Sequence, residues 1–201
     1  MKEKIRLGSH LINPVDRSKV GILNSILTST ECKKIIKDCE QIEPNDGTIT
    51  TKAGYVDNKG YRSSKVRWIP FPQVNPRYKY IYSKIQELVV EINSQLQFEI
   101  LGLGENIQFG VYEKNDHYDW HMDVGPNQQS IRKFSMSILL NHPSEFEGGD
   151  LVFKTGRGEE KKPMSLGDVV FFPSYFLHKV EPITKGIRKS LVVWVSGNPY
   201  R

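Results

Sequence analysis

The hydrophobic pattern of the chain changes period at about Phe98, and this change restricts the fold more than any other feature. Before that point two stretches carry apolar residues at helical spacing, and after it apolar and polar residues alternate. Alternation at every second position is typical of strands with one buried face. The alternating segments are short and are separated by turns such as Gly148-Gly149-Asp150. Two helices followed by many short strands predict an α+β, mainly β domain, a sandwich or barrel with the helices packed outside it.

The two helices have sequence signals at their starts. Thr28 and Glu31 form the pattern of a capping box, and the helix that follows is expected to run to about Gln41. Pro76 begins a second helix, whose apolar stripe indicates packing against a core. Between the helices, residues 44–63 are rich in Gly, Asn, Asp and Thr, which predicts an irregular, mobile surface segment.

Length and composition predict one soluble domain. The chain has 201 residues, 38% of them apolar and 25% charged, which is ordinary for a globular protein with a proper core. We therefore expect a single domain over residues 1–201. Residues 1–97 would form a helical N-terminal support, and residues 98–197 would form the β core.

The net charge and the positions of the cysteines indicate possible partners and the cellular compartment of the protein. The net charge of +5 comes from scattered lysines and arginines, so nucleic-acid binding is allowed but not indicated. Cys32 and Cys39 lie in one predicted helix, where a disulfide is geometrically awkward. No apolar run approaches the ~20 residues of a membrane span. We expect a cytoplasmic protein without membrane contact, and the oligomeric state stays open.

His121 and Asp123 form a His-x-Asp pair within the extended stretch 112–123. Residues two positions apart on an extended chain point to the same side, so one imidazole and one carboxylate reach a common point. His178 lies on another predicted strand and could supply a third ligand. Two histidines and one carboxylate on one face of a metal are the arrangement of non-haem Fe(II) oxygenases. We therefore predict that these three residues bind a catalytic metal.

Ordinary structural roles compete with this interpretation. A lone His-x-Asp pair is a weak signal in a chain with five histidines, and His178 alone could be a core histidine bonded to the backbone. His117 lies four positions before His121, as on a metalloprotease helix, but no glutamate follows it and the local pattern is extended. We interpret His117 as a loop residue, His142 as an exposed turn residue, and His10 as a residue with no partner in the sequence.

Arg188 lies ten positions after His178, beyond the turn-like stretch 181–186. Two strands joined by such a turn pair antiparallel, which would bring Arg188 into the same cavity as His178. An arginine binds a carboxylate through two parallel N–H hydrogen bonds. A dicarboxylate could therefore chelate the metal at one end and bind Arg188 at the other. Alternation adds Trp194 and Tyr112 to this cofactor pocket, unless a bulge reverses the register. The competing role for Arg188 is a surface salt bridge.

Together with further motifs, these residues resemble one known family. Residues 98–197 look like the catalytic domain of Fe(II)- and 2-oxoglutarate-dependent dioxygenases, in the prolyl 4-hydroxylase-like branch, and are similar to its compact microbial and phage-type members. The motifs that carry the likeness are Tyr112, His121-Met122-Asp123, Phe146-Glu147-Gly148-Gly149-Asp150-Leu151, Gly167-Asp168, Phe172-Pro173-Ser174, and the run from His178 through Arg188 to Trp194.

The resemblance implies a double-stranded β-helix (jelly-roll) core with iron inside one end, bound by His121, Asp123 and His178. It also implies that Arg188 binds the distal carboxylate of 2-oxoglutarate. The expected cofactors are Fe(II), 2-oxoglutarate and O2, with ascorbate as a further candidate. The implied activity is hydroxylation of a C–H bond, foremost of a proline in a peptide or protein substrate, with release of succinate and CO2.

Some choices stay open. Collagen-type members of the branch usually carry lysine where this chain has Arg188, which keeps the charge but leaves the subfamily and the substrate undecided. Alkylation-repair dioxygenases share the iron motif, yet the paired arginines of their C-terminal motif are not evident here. The alternatives are the same chemistry on a nucleobase or a small molecule, and a non-catalytic jelly-roll binding module. Residues 44–63 and 124–132, both turn-rich and polar, are expected to be lids over the substrate.

Overall fold

The computed structural model describes residues 16–51, 54–56, 58–156 and 158–200, and within them the chain is mainly β. The α-helices are α1 (Ser29–Cys39) and α2 (Lys79–Leu96), with short 3-10 helices at Pro76–Tyr78, Asn127–Ile131 and Pro143–Glu145. In chain order the strands are β1 (Gly21–Leu23), β2 (Asn45–Asp46), β3 (Ile49–Thr51), β4 (Gly54–Val56), β5 (Arg62–Ser63), β6 (Lys65–Ile69), β7 (Ile100–Gly102), β8 (Ile107–Tyr112), β9 (His117–His121), β10 (Arg132–Leu139), β11 (Phe146–Gly148), β12 (Leu151–Thr155), β13 (Gly158–Lys162), β14 (Val169–Pro173), β15 (His178–Val180), β16 (Ile183–Gly186) and β17 (Arg188–Gly197).

Two antiparallel sheets form the body of the fold. The large sheet has the order β1-β14-β10-β17-β8-β6-β2, and β7 pairs with the end of β17. The smaller sheet has the order β13-β12-β15-β9-β5, and two two-stranded pairs, β11 with β16 and β3 with β4, are separate from both. Many neighbours within the two sheets are distant in sequence, as β9 and β15 are. The predicted mainly β, jelly-roll class is confirmed.

The two faces of the large sheet have different surroundings. The apolar residues of β8 (Ile107, Phe109 and Val111) belong to the main core, together with the apolar stripe of α2 and the buried face of α1. The other face of β8 carries Gln108 and Tyr112, which line a cavity. The alternation predicted for this strand is therefore confirmed: one face packs under the helices, and the other faces the cavity.

The first helix begins where the sequence predicted, and the second begins at Pro76 as a 3-10 turn that leads into α2 at Lys79. The Thr28 hydroxyl accepts a hydrogen bond from the Glu31 backbone N–H (3.2 Å), and the Glu31 carboxylate accepts one from the Thr28 N–H (2.7 Å), which completes the capping box. The first helix ends at Cys39, two residues before the expected Gln41. Cys32 and Cys39 are buried free thiols, as expected. No helix in the described ranges is long and apolar enough to cross a membrane.

Residues 21–69 contain more strand than the sequence predicted. The stretch 44–63, expected to be irregular, includes β2, β3, β4 and β5. These strands have two or three residues each, which is too short for an alternating pattern to be recognised. The predicted helical support, residues 1–97, also contributes β1, β2 and β6 to the large sheet.

The packing of α2 allows a matched test of where the core lies. Ile92 is 0% exposed, whereas Val90 on the same helix is 72% exposed. We expect Ile92→Ala to lower the free energy of unfolding by about 2–5 kcal/mol, because it removes buried methyl groups and leaves a cavity. Val90→Ala should change it by less than about 0.5 kcal/mol. Urea denaturation of the two variants measures both values, and equal losses would contradict the assigned packing face.

Candidate metal centre and cofactor cavity

His121, Asp123 and His178 meet at one end of the small sheet. His121 is the last residue of β9 and His178 is the first of β15, and the two are partners in the register of this strand pair. His121 Nε2 lies 3.8 Å from Asp123 Oδ1, and His178 Nε2 lies 3.8 Å from Asp123 Oδ2. One ligand atom from each residue lies within 4.8 Å of the others. The structure thus brings together the three predicted ligands around a single point.

Backbone carbonyls orient the two imidazoles. His121 Nδ1 lies 2.8 Å from the Asp119 carbonyl oxygen, and His178 Nδ1 lies 2.9 Å from that of Phe176. Because a carbonyl can only accept, Nδ1 carries the proton in each ring and donates it, and the Nε2 lone pair faces the cluster. Burial, followed by the neighbouring His178, holds the pKa of His121 well below its ordinary value. The ring is therefore neutral, which is the form that binds metals.

Asp123 completes the donor set with a buried carboxylate. Burial alone would raise the pKa of Asp123, but His178, His121 and Arg132 outweigh burial and lower it, so the carboxylate is ionised. Its Oδ2 atom is buried and has no hydrogen-bond partner within the described residues. A buried charged oxygen without a partner is costly, and a bound cation would remove that cost. Two imidazoles and one carboxylate fit Fe(II) with open coordination positions.

The cluster opens into a cavity of about 440 Å³ that also contains the other predicted pocket residues. Arg188 and Tyr112 face it from β17 and β8, where they are register partners, and Trp194 follows Arg188 on the same face of β17. All six residues predicted for the site therefore line one cavity. The predicted antiparallel pairing of the strands that carry His178 and Arg188 is wrong, because β15 lies in the small sheet and β17 in the large sheet. A cavity of this size holds a small organic molecule beside a metal and leaves room for part of a larger substrate.

Arg188 is a buried cation that has no anionic partner among the described residues. It is 3% exposed, and its Nη1 donates to the Ser190 hydroxyl (3.0 Å), yet among the described residues no carboxylate forms a salt bridge with it. Burial lowers the pKa of Arg188, whereas Tyr112 and Asp150 favour its charged form. A desolvated guanidinium of this kind gains most from an anionic ligand. The competing role considered from the sequence, a surface salt bridge of Arg188, is not found within the part of the chain that the structure describes.

Gly149 of the Phe-Glu-Gly-Gly-Asp-Leu motif makes room for this arginine. Its φ of +67° is in the left-handed region, and a Cβ atom there would lie 3.0 Å from Arg188 Cδ and would collide with Ile183. The motif thus has a local physical role: it lets the chain pass close to the arginine side chain.

His117 and His142 have the roles that the sequence indicated. The ring nitrogens of His117 lie 3.2 Å from the carbonyl oxygens of Asn115 and Gly60, so this side chain fixes a loop and does not join the cluster. His142 is exposed and caps the 3-10 helix Pro143–Glu145. His10 lies outside the described residues.

Several cavity residues were missed by the sequence analysis. Arg132 donates two hydrogen bonds to Glu105 (2.7 and 2.6 Å) and one to the Asp123 carbonyl (3.0 Å), and its guanidinium lies 4.0 Å from the Trp194 ring. Arg62 lines the same cavity from the stretch predicted to be irregular. Neither arginine has a sequence signal, because each meets its partners only through long-range pairing.

A jelly roll that holds two histidines and one carboxylate beside a substrate-sized cavity defines the class of non-haem iron oxygenases. Residues 107–196 of this chain match the family model of the 2OG-Fe(II) oxygenase superfamily. The protein is accordingly a dioxygenase, with Fe(II), 2-oxoglutarate and O2 as its cofactors.

Curated relatives include PKHD-type hydroxylases. One from Alteromonas mediterranea is 28% identical over 182 residues, an alignment that covers 87% of this chain and 76% of the relative. Another from Idiomarina loihiensis is 36% identical over a shorter stretch of 84 residues, which covers 42% of this chain and 38% of that protein.

Solved structures share the fold. A Pseudomonas putida prolyl-4-hydroxylase has a TM-score of 0.68 and 22% identity, with 89% of this chain and 92% of that one covered. A prolyl hydroxylase from Trichoplax adhaerens, solved with a peptide fragment of the hypoxia inducible factor oxygen degradation domain, has a TM-score of 0.72 and 20% identity, with 90% and 84% covered.

Proposed function

We propose that the enzyme hydroxylates proline in a peptide or protein substrate, with His121, Asp123 and His178 as the Fe(II) ligands. The observation that carries this proposal is the presence, in one cavity, of a three-ligand cluster and a buried arginine that lacks an anionic partner among the described residues. The three ligands occupy one face of a metal and leave positions for a co-substrate. Iron with 2-oxoglutarate and O2 supplies the oxidising power when bound.

Arg188 and Tyr112 are proposed to hold the distal carboxylate of 2-oxoglutarate. The guanidinium offers paired N–H donors that match a carboxylate, and burial strengthens this interaction by excluding water. The centre of the Tyr112 ring lies 5.9 Å from Arg188 Cζ, and both side chains line the cavity, so the Tyr112 hydroxyl is proposed to bind the same carboxylate. Trp194 adds a buried indole N–H that has no hydrogen-bond partner within the described residues, and this group can donate to a molecule in the cavity.

The proposed reaction balances with these components alone. One 2-oxoglutarate, one O2 and one C–H bond are consumed. One succinate, one CO2 and one C–OH bond are produced, with one oxygen atom in succinate and the other in the new hydroxyl. The protein's part is to bind the co-substrate in a fixed orientation, to exclude water, and to place the substrate carbon next to the open metal position.

A peptide substrate is supported by the cavity lining and by the relatives. Trp68 and Met122 line the cavity and are 37% and 52% exposed, an unusual exposure for large apolar side chains that a bound chain could cover. Thr48 and Val124 also line it, so each of the two segments predicted to be lids borders the cavity. The names of the structural neighbours, prolyl hydroxylases, point to proline as the target.

Oxygen labelling of a peptide digest tests the substrate. The enzyme, with Fe(II) and 2-oxoglutarate under ¹⁸O₂, should add one labelled oxygen to proline-containing peptides. Succinate should form in an equal amount, because the two products arise in the same turnover. Mass spectrometry locates the label, and a synthetic pair that differs only by Pro→Ala provides the matched control.

Two results would argue against this substrate. Label in both members of the synthetic pair would mean that another residue is hydroxylated. Succinate that forms faster with a nucleic acid or a small molecule than with any peptide would move the substrate to that class, with the same iron chemistry.

A further inference from the structure

Tyr118 lies flat against the imidazole of His121. The two ring centroids are 3.5 Å apart and the ring planes differ by 13°. Residues three apart on a regular strand point to opposite faces, so this contact requires an irregularity. The register of β9 with β15 supplies one: His121 pairs with His178, Tyr118 pairs with Val180, and the register shifts between the two pairs. Such bulges re-aim side chains, often beside active sites.

Arg62 covers the other side of Tyr118. It is the register partner of Tyr118 between β5 and β9, and its Cζ atom lies 4.5 Å from the centre of the tyrosine ring. A guanidinium over an aromatic face is attracted by the ring electrons, the more so where water is excluded. Arg62, Tyr118 and His121 thus form a stack of three flat groups, which we call the ring column.

The outer end of the ring column is held rigidly. Arg62 is 8% exposed and donates hydrogen bonds to the Ser64 hydroxyl (3.2 Å), the Thr48 carbonyl (2.9 Å) and the Gln108 side-chain oxygen (3.1 Å). Gly47 confines it further, because a Cβ atom at that position would lie 2.6 Å from Arg62 Nε. Neutral partners fix the guanidinium in place, and no carboxylate among the described residues forms a salt bridge with it.

We propose that Arg62 and Tyr118 are positioning residues that hold the His121 imidazole in the orientation that binds iron. This inference rests on the proposed function, in which His121 is a metal ligand. The hydrogen bond from Nδ1 to the Asp119 carbonyl anchors one edge of the imidazole but leaves the ring free to tilt about that bond. A parallel ring at 3.5 Å removes the tilt, and Arg62 keeps that ring in place. Partners that orient a metal-binding histidine typically change metal affinity by about 10–100-fold.

A competing role for Tyr118 is a contact between its hydroxyl and the substrate, since it also lines the cavity. The two roles depend on different atoms. Stacking needs the ring and not the hydroxyl, so phenylalanine should replace tyrosine without loss. A substrate contact needs the hydroxyl, and it has no effect on metal binding in the absence of substrate.

Metal affinity of the full chain, measured without substrate, separates these roles. Competition with a chromophoric chelator gives the Fe(II) dissociation constant under anaerobic conditions, and Co(II) absorption bands report the ligand geometry. We expect Tyr118→Leu to weaken Fe(II) binding by about tenfold or more and to shift the Co(II) bands, whereas Tyr118→Phe should leave both unchanged. Tyr200→Leu, at an exposed tyrosine outside the cavity lining, is the control and should bind metal as the wild type does.

Arg62 gives a second, independent variant if Tyr118→Leu does not fold. Arg62→Met keeps the apolar part of the side chain and should also weaken Fe(II) binding. Arg62→Lys should retain part of the Fe(II) affinity, because it keeps the positive charge but lacks the planar guanidinium. Wild-type affinity in either Tyr118→Leu or Arg62→Met would overturn the proposal, as would equal losses in Tyr118→Phe and Tyr118→Leu. A wild-type protein that binds no metal would instead refute the proposed function from which the inference starts.

Discussion

His121→Ala should remove iron binding and lower turnover of 2-oxoglutarate by on the order of 10³-fold or more. Residues that only orient a metal-binding histidine already change affinity by about 10–100-fold, so loss of the ligand itself must cost more. The remaining pair, Asp123 and His178, leaves too few ligands to fix the metal and its open positions. The anaerobic complex of Fe(II), 2-oxoglutarate and wild-type protein should show a visible charge-transfer band, and the variant should not.

Thermal unfolding supplies a readout of the same substitution that does not depend on catalysis. A metal that binds only the folded state raises its stability by RT ln(1 + [L]/Kd), about 2.7 kcal/mol at a hundredfold excess over Kd. The wild type should therefore melt several degrees higher with metal than without it, and His121→Ala should melt at the same temperature in both conditions.

His142→Ala is the matched control, because His142 is an exposed imidazole that only caps a 3-10 helix. It should keep the charge-transfer band and the metal-dependent rise in melting temperature. A well-folded His121→Ala protein that keeps either property would exclude this histidine as a ligand.

The sequence sufficed to find the pair His121 and Asp123 because their spacing is local: residues two apart on an extended chain point to the same side. Arg188 does line the same cavity as His178, but the predicted antiparallel pairing of their strands is wrong. β15 lies in the small sheet, β17 lies in the large sheet, and β16 separates them in the sequence. The faces of β8 followed from alternation in the same way, and the structure confirms them. What local geometry does not contain is the sheet order, in which β9 lies beside β15. The resemblance to a known family predicts the jelly-roll class, but the sequence analysis did not predict which strands are neighbours.

The ring column shows why other parts of the site were missed. Alternation places Tyr118 and His121 on opposite faces, and only the bulge in β9 brings their rings together. Arg62 reaches them from a two-residue strand, which is too short to carry a period. Arg132 forms hydrogen bonds with Glu105, which is 27 positions away in the sequence. Bulges, very short strands and distant ion pairs are decided by tertiary packing, which a periodic pattern does not encode.

Arg188→Met should raise the Michaelis constant for 2-oxoglutarate by about a hundredfold or more while iron affinity stays close to that of the wild type. Removing one partner of a buried, hydrogen-bonded charge pair costs about 2–5 kcal/mol, and each 1.4 kcal/mol is a factor of ten. Methionine keeps much of the apolar part of the arginine side chain. The weaker binding of 2-oxoglutarate is therefore caused by removal of the guanidinium and not by a new cavity. The Michaelis constant of Arg188→Lys should lie between those of the wild type and Arg188→Met. Lysine keeps a positive charge but lacks the paired N–H donors of the guanidinium.

The same substitution should leave the protein without co-substrate no less stable. Arg188 is desolvated and has no salt bridge within the described residues. Its buried charge therefore lowers the stability of the folded state until an anion binds. Urea denaturation without ligand should therefore show an unchanged or increased free energy of unfolding for Arg188→Met.

Addition of 2-oxoglutarate with metal should then stabilise the wild type far more than Arg188→Met, because only the wild type has the partner for the distal carboxylate. Arg67→Ala is the matched control, since Arg67 is half-buried, lies outside the cavity lining and donates to the Ile42 carbonyl. Its Michaelis constant for 2-oxoglutarate should not change. Arg188→Met could instead lose iron binding and 2-oxoglutarate binding equally and also have a lower free energy of unfolding without ligand. That result would show that Arg188 is a structural residue and does not bind the distal carboxylate.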